Sequence, residues 1–455
     1  MNPPRSAFGA PPQGGTAGGP AKPDPRRSLE NVELFLPCAQ GVEMLLADEC
    51  RRLLGEGAAI TERRGGVAVR GDERTAMQLN LESRLAQRVL WPLAHGAYRH
   101  ELKIYELART VDWPRWITPQ QTLRVDTTAQ RSPLKSLNFA TLRVKDAVCD
   151  ALRDACGARP SVDTRDPDLP LALHLTATHA TLYADTSGPA LFKRGWRDGG
   201  ARTATGRPEL SDAPSGGRTP RSGGPGGGLK GEAPLKETLA AAMLAAAGWQ
   251  GRADDGPLLD PFCGAGTIAI EAAQLACGMA PGLQRRFAFE RLAPWREHQQ
   301  TWRALREAAR ARVHASAVPI FAGDVSFRMT DFAARNAERA GVGGAIEFKT
   351  ADALQRPPPA PRGTMVLNPP YGERLEAKGS GRQSAEGTDD MAAFFAALAA
   401  HWKRHYAGWS AWVLAPEMKL PTLMRLKESR RVPLWNGPIE CRLFRFDMVA
   451  GSARG

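Results

Sequence analysis

The sequence is short of the features that would mark a secreted, metal-holding or membrane-spanning protein. Its seven cysteines, at 38, 50, 149, 156, 263, 277 and 441, are scattered, with no C-x-x-C pair and no histidine cluster beside them. That pattern argues against a disulfide framework and against a structural zinc site, so no metal is expected and a reducing, cytoplasmic setting fits best. The first 28 residues are rich in proline and glycine and lack the apolar segment of a secretory signal; they read as a disordered tail. The longest nearly apolar run, TLAAAMLAAAGW at 238–249, is too short to cross a bilayer. It reads as a buried helix, and no membrane partner is expected.

What is present is length and positive charge. The 455 residues allow two or three domains, each with its own core. The net charge is +13, of which +3 lies in the tail 1–29 and +2 in 198–230, leaving +8 for the rest. Such a surplus biases a protein toward polyanions, nucleic acid among them. One composition break divides the chain: eleven of the 33 residues in 199–231 are glycine, with prolines at 208, 214, 220 and 225, the composition of a flexible insertion.

The front half reads as mixed α and β. VELFLPC at 32–38 and GGVAVRG at 65–71 have strand character around a helical GVEMLLADECRRLLG at 41–55. QTLRVDTTA at 121–129 reads as a strand and 139–157 as a helix with Ala140, Val144, Ala147, Val148, Ala151 and Leu152 on one face; 171–187 reads as a hairpin. Between 124 and 145 the cations Arg124, Arg131, Lys135, Arg143 and Lys145 stand against one acid, Asp126, a pattern open to phosphate binding and equally to a solvated loop. The back half alternates strand and helix, which predicts a parallel sheet wrapped by helices with ligands at the carboxyl ends of its strands. NGPIECRLFRFDM at 436–448 suits an antiparallel edge strand.

Two motifs in the back half carry chemistry. LLDPFCGAGTIAIEAA at 258–273 places Asp260 at a strand end, then Gly264 and Gly266 in a turn that runs into a helix. No lysine follows Gly266, which rules out a phosphate-binding P-loop, and Ala269 stands where a dinucleotide fingerprint needs its last glycine. S-adenosyl-L-methionine remains: Asp260 and backbone amides suit its amino-acid end. Asp324 in FAGDVS suits its ribose hydroxyls, and Asp352 in KTADAL suits its adenine amine. The loop residues Phe262, Gly264, Gly266 and Thr267 would border this cofactor. The second motif is NPPY, residues Asn368, Pro369, Pro370 and Tyr371. The Asn368 oxygen and the Pro369 carbonyl can accept both protons of an exocyclic amine and aim its lone pair at a methyl donor, while Tyr371 can stack on a base taken out of its helix or loop. Cys263 lies beside the first glycine, where a thiol packs or lines the pocket; no catalysis is assigned to it.

Taken together, RVKDAVCDALRD, RPSVDTRDPD, ALFKRGWR, APLKETLAAAM, LLDPFCGAGTIAIEAA, AARNAERAGV, LNPPYGERL and NGPIECRLFRF make the chain resemble the bacterial THUMP-domain 23S rRNA guanine-N2-methyltransferases of the RlmL type, from about Val32 to Met448. The resemblance implies a ferredoxin-like segment at 30–90, a THUMP RNA-binding domain at 91–190 and a class I (Rossmann-like) methyltransferase domain at 232–455. It implies the same cofactor residues, with the target guanine held by Asn368 to Tyr371. The insertion 199–231 is a departure, since the family joins RGWR to APLKE by a short connection. Fused relatives carry a second methyltransferase beyond the point where this sequence stops, so one modification is expected. A tRNA guanine or an adenine as target, or a ribosome-assembly RNA binder without catalysis, are the rival readings.

Because the flanking motifs are complete without it and a glycine-rich loop makes few packing contacts, deleting 200–230 should leave cofactor affinity unchanged in calorimetry. A deletion variant that fails to fold would show the segment to be structural.

Overall fold

The computed structural model of the chain describes residues 31–197, 235–371 and 387–449. The N-terminal tail, the glycine-rich insertion and the GERL after Tyr371 lie outside the described residues. The front half runs β1 (Val32–Pro37), α1 (Glu43–Leu54), β2 (Ile60–Arg63), β3 (Gly66–Gly71), α2 (Glu73–Glu82), β4 (Leu90–Ala97), α3 (Glu101–Arg109), β5 (Thr122–Ala129), α4 (Leu137–Cys156), β6 (Ser161–Val162), β7 (Leu169–Leu175) and β8 (His179–Asp185). Its strands form one sheet in the order β2-β3-β1-β4-β8-β7-β5-β6. The first four strands and the last four therefore share a single sheet, joined by a long antiparallel β4–β8 ladder.

Local chemistry accounts for the helices. Asp72 caps α2, its carboxylate accepting from the Thr75 amide and hydroxyl at 2.8 Å each. Helix α4 buries Ala140, Val144, Ala147, Val148 and Leu152, the face expected from its periodicity, and stops at Gly157, whose φ of 74° is the left-handed conformation that glycine adopts without strain. The hairpin expected at 171–187 is β7 and β8, paired from Leu171↔Ala184 to Leu175↔Ala180.

The back half continues with α5 (Glu237–Ala247), β9 (Leu258–Asp260), α6 (Thr267–Ala276), α7 (Gln299–Ala311), β10 (Ile320–Asp324), α8 (Phe327–Arg339), β11 (Ile346–Thr350), β12 (Gly363–Leu367), α9 (Gly387–His405), β13 (Trp409–Ala415), α10 (Leu420–Met424), β14 (Arg430–Asn436) and β15 (Ile439–Asp447). The sheet order is β11-β10-β9-β12-β13-β15-β14, with β9 to β13 parallel and β15 antiparallel to both neighbours. The chain thus leaves β9 in one direction and returns on its other side at β12, which makes the gap between these two strands the switch point of the sheet. The stretch 238–249 is, as expected, a buried helix: nine of the eleven residues of α5 are buried.

One expectation is corrected. The final strand β15 is not the edge: it lies between β13 and β14, and β14 takes the edge. Composition explains the exchange. Strand β14 carries Pro433 and the exposed Arg430 and Arg431, which an edge tolerates, whereas β15 buries Cys441, Leu443, Phe444 and Phe446.

The halves are locked by buried charge. Glu271 on α6 has no exposure; Arg194 donates to it at 2.9 Å and Arg84 at 3.3 Å. Arg285 donates to the carbonyls of Ala190 and Lys193 at 2.9 and 3.0 Å. Arg197 donates to Leu235 O at 3.1 Å, so the two ends flanking the insertion stand side by side. Replacing Glu271 by Ala strands two buried guanidinium groups and should cost about 3–5 kcal/mol in denaturant unfolding. An unchanged midpoint would mean that the triad does not hold the halves together.

Candidate active site

The register of the parallel strands brings the acids singled out in the sequence to one edge. Asp260 ends β9 opposite Ala322, Asp324 ends β10 opposite Thr350, and Asp352 follows β11 by two residues. Leu259 pairs with Met365, so Asn368 lies just past the end of β12, across the switch point from the glycine turn. The turn after β9 is tied to its neighbour by the Cys263 amide, which donates to Gly323 O at 2.7 Å, and it closes on itself through Gly266 N to Cys263 O, also 2.7 Å. Gly264 and Gly266 have φ of +51° and +85°. A Cβ on Gly266 would come within 3.1 Å of the Ala333 Cβ, so glycine there also permits α6 to pack against α8; a Cβ on Gly264 would meet nothing within 4 Å, leaving room above that residue for a ligand.

The carboxylates are held by backbone amides. Asp324 accepts from Ser326 N at 3.0 Å and from Gly264 N at 3.3 Å, which fixes it against the turn. Asp352 accepts from Leu354 N at 2.9 Å and stays half-buried. Asp260 is buried, accepts from Phe262 N at 3.2 Å, and its carboxyl is pushed up to about 8, first by burial and then by the neighbouring Asp324, against the pull of the Phe262 amide and Arg356. Burial also drives the Cys263 thiol far above the usual range, with Asp260 and Asp324 adding to it, so this cysteine is no nucleophile at neutral pH.

The remaining motif residues are placed as follows. Phe262 is partly buried and meets Phe394 of α9 edge-on at 6.0 Å. Thr267 opens α6 and its hydroxyl takes a hydrogen bond from Arg197. Pro369 is buried, while Asn368 and Pro370 are half-buried. The Tyr371 hydroxyl donates to Leu414 O at 2.6 Å and its ring stacks on Phe395 at 5.6 Å. In the front half, Arg124 pairs with Asp126 at 2.9 Å and Lys145 with Asp146 at 2.9 Å, so two of the five cations have carboxylate partners; Arg131, Lys135 and Arg143 are exposed. Beside them Phe139 is 60% exposed.

Three residues that the sequence reading left without a role also shape the site. Asn336, buried on α8, donates to Ala265 O at 2.8 Å and so holds the glycine turn from below. Its signal was present, since AARNAERAGV contains it. Arg339, from the same stretch, donates to Trp196 O at 2.9 Å. Arg356 is buried, and its Nη1 would lie 2.4 Å from a Cβ on Gly323, so only glycine lets the guanidinium pass beneath the end of β10. No sequence pattern pointed to it. Among the described residues no group of His, Cys, Asp and Glu could hold a metal ion, and no helix is long and apolar enough to cross a membrane.

A parallel sheet of this order, with a glycine turn after its central strand, acids along one edge and Asn-Pro-Pro-Tyr across the switch point, defines a class I methyltransferase domain, and its donor groups fit S-adenosyl-L-methionine. Comparison with known proteins agrees: residues 228–445 match an RMKL-like methyltransferase domain, 98–185 a THUMP domain and 33–90 an RlmL ferredoxin-like domain. The chain belongs to the RlmL-type family of THUMP-domain methyltransferases. It is 36% identical over 428 residues to a protein of Syntrophotalea carbinolica named ribosomal RNA large subunit methyltransferase K/L, covering 92% of this chain and 54% of that one. The chain therefore spans about half the length of the curated relatives it matches. Among solved structures it resembles a possible methylase from Clostridium difficile 630, at TM-score 0.74 and 26% identity, covering 94% of this chain and all of that one. A methyltransferase complexed with SAH shares the fold at TM-score 0.75 and 23% identity, covering 93% of this chain and all of that one.

The raised Asp260 carboxyl has a consequence for stability. Its unfolded value is about 3.9; between there and about 8 the folded chain keeps a proton that the unfolded chain has released. Stability from this group is therefore complete below pH 4 and is lost as pH rises toward 8. In cofactor-free protein, the thermal midpoint of Asp260→Asn relative to wild type should move in favour of the variant from pH 5 to pH 8. A pH-independent difference would count against the assignment.

Proposed function

We propose that the chain transfers a methyl group from S-adenosyl-L-methionine to the exocyclic N2 amine of a guanine in 23S rRNA. The observation that carries this reading is the position of Asn368-Pro-Pro-Tyr, across the switch point from the glycine turn. The THUMP match supports an RNA target, and the name borne by the relatives supports large-subunit rRNA. The cations Arg131, Lys135 and Arg143 provide exposed positive charge for its phosphates.

In this reading Asp324 accepts from the ribose hydroxyls, Asp352 from the adenine amine, and Asp260 with the turn amides receives the amino-acid end. The bound cofactor supplies an electrophilic methyl group on a sulfonium. The guanine amine is a weak nucleophile because its lone pair is delocalised into the ring. Asn368 and the Pro369 carbonyl accept hydrogen bonds from its two N–H groups and turn the lone pair toward the place where the methyl group would be presented; the amine that gained the methyl would carry the positive charge given up by the sulfonium and would release one proton to solvent. Positioning supplies most of the rate. Tyr371, anchored through its hydroxyl and stacked on Phe395, is the ring that would stack on the extruded base.

Asn368→Ala should keep cofactor affinity and lose on the order of a hundredfold or more in turnover. Tyr371→Ala should weaken capture of the base by about 1–3 kcal/mol. The assay is tritiated methyl transfer to undermodified 23S rRNA followed by nucleoside digestion. Near-normal turnover by the Asn368 variant would refute the mechanism. N6-methyladenosine as product, or transfer only to tRNA, would keep the chemistry and overturn the substrate.

A further inference from the structure

Away from the methyl-transfer loops, a cavity of about 300 Å³ opens where α7 packs against the front half. None of its lining residues belongs to the loops that follow β9, β10, β11 or β12. One wall is aromatic: Trp302 of α7 stands edge-on to Phe289 at 4.9 Å, with Trp295 beside them. This wall is pinned to the front half, since Phe289 N donates to Thr186 O at 3.0 Å and Trp295 Nε1 to Glu73 O at 3.3 Å.

The rim is cationic. Arg303, Arg306 and Arg310 succeed one another on one face of α7 at spacings of three and four residues, an arrangement in which like charges repel and weaken the helix. No ion pair among the described residues engages any of the three, although Glu307 lies among them in sequence. Arg306 is oriented by its hydrogen bond to Leu283 O at 3.1 Å and lies over the Trp302 ring at 5.6 Å. The one acid in the lining, Glu290, accepts from Phe287 N at 2.8 Å and so closes its own turn. Exposed guanidinium groups above an aromatic wall, in a cavity at the small end of the range for ligand sites, suit a single planar base with its phosphate.

We propose that this cavity receives one unpaired nucleotide of the substrate RNA, with the base against Trp302 and the phosphate on Arg303 and Arg310. The proposal rests on the reading of the chain as an RNA methyltransferase and adds to it a second point of contact, at the seam of the two halves. A nucleotide seated there would touch both halves at once and register the RNA against the sheet that carries the chemistry.

The test is the full chain carrying Arg303→Glu and Arg310→Glu, both exposed positions. Its SAH affinity should equal that of wild type, confirming the fold. Its KM for undermodified 23S rRNA should rise at least tenfold with kcat within about twofold. The slope of log K against log salt should fall by about 0.7 or more, the share of one phosphate. Unchanged rRNA affinity and salt slope would overturn the proposal. So would GMP binding that the variant loses while its rRNA affinity stays at wild-type level, since the site would then serve a free nucleotide. If wild type binds 23S rRNA without methylating it and the variant still lowers the slope, the cavity assignment stands and the substrate reading falls.

Discussion

Glu271 sits four residues beyond Thr267 on the helix that the glycine turn launches, wholly out of solvent, and takes one guanidinium from Arg84 after α2 and another from Arg194 after β8. A carboxylate so placed cannot be left unpaired, and neither can the two cations. The triad therefore dictates that α6 and the front sheet sit in one arrangement. Two further ties reach the same helix region: Arg197 holds Thr267, the first residue of α6, and Arg339 of α8 holds Trp196 O. The residues just before the insertion are thus clasped at the point where the glycine turn ends. Through this one helix, the front half is fixed relative to the glycine turn.

The strand ends beside this helix carry the electrostatic cost of the site. Asp324 lies close enough to Asp260 to disfavour the charge of its carboxyl, and the turn between them offers backbone amides in return. Arg356, buried beneath Gly323, lowers that cost for Asp260. In the proposed reading, a ligand with an ammonium group at one end and ribose hydroxyls at the other would complete what the protein leaves unbalanced. That is a reason for the acids to be tolerated in a buried position whose stability they reduce.

How far the sequence disclosed this depended on whether the signal was local. The strand-end acids, the glycine turn and NPPY are contiguous, and each was legible because a few adjacent residues define it. The helix face of α4 and the burial of α5 were legible because periodicity and uniform apolarity are local as well. The residues of β15 suit an edge strand by themselves, but edge status depends on what pairs beyond it, and β14, with its proline and arginines, takes that place. The sequence shows Asp126 among the five cations but not which of them it pairs with, and the fold gives it to Arg124, while Lys145 pairs with its neighbour Asp146. Arg84, Arg194 and Glu271 are far apart in the chain, and nothing in their neighbourhoods marked them as partners.

Catalysis by orientation sets a limit on how loosely such parts can be joined. In the proposed mechanism, an amine that two acceptors hold against a methyl carbon gains little if the RNA bearing it can shift by an ångström, so the contacts that grip the RNA would have to be rigid with respect to Asn368. A flexible tether between an RNA-binding half and a catalytic half would satisfy affinity and fail this requirement. Buried charge meets it better than an apolar seam of similar size, because a carboxylate with two guanidinium groups is satisfied in few relative orientations, whereas apolar surfaces slide. On either side of the insertion, Arg197 is bonded directly to Leu235 O and to Glu237, so the joint is closed by residues outside it.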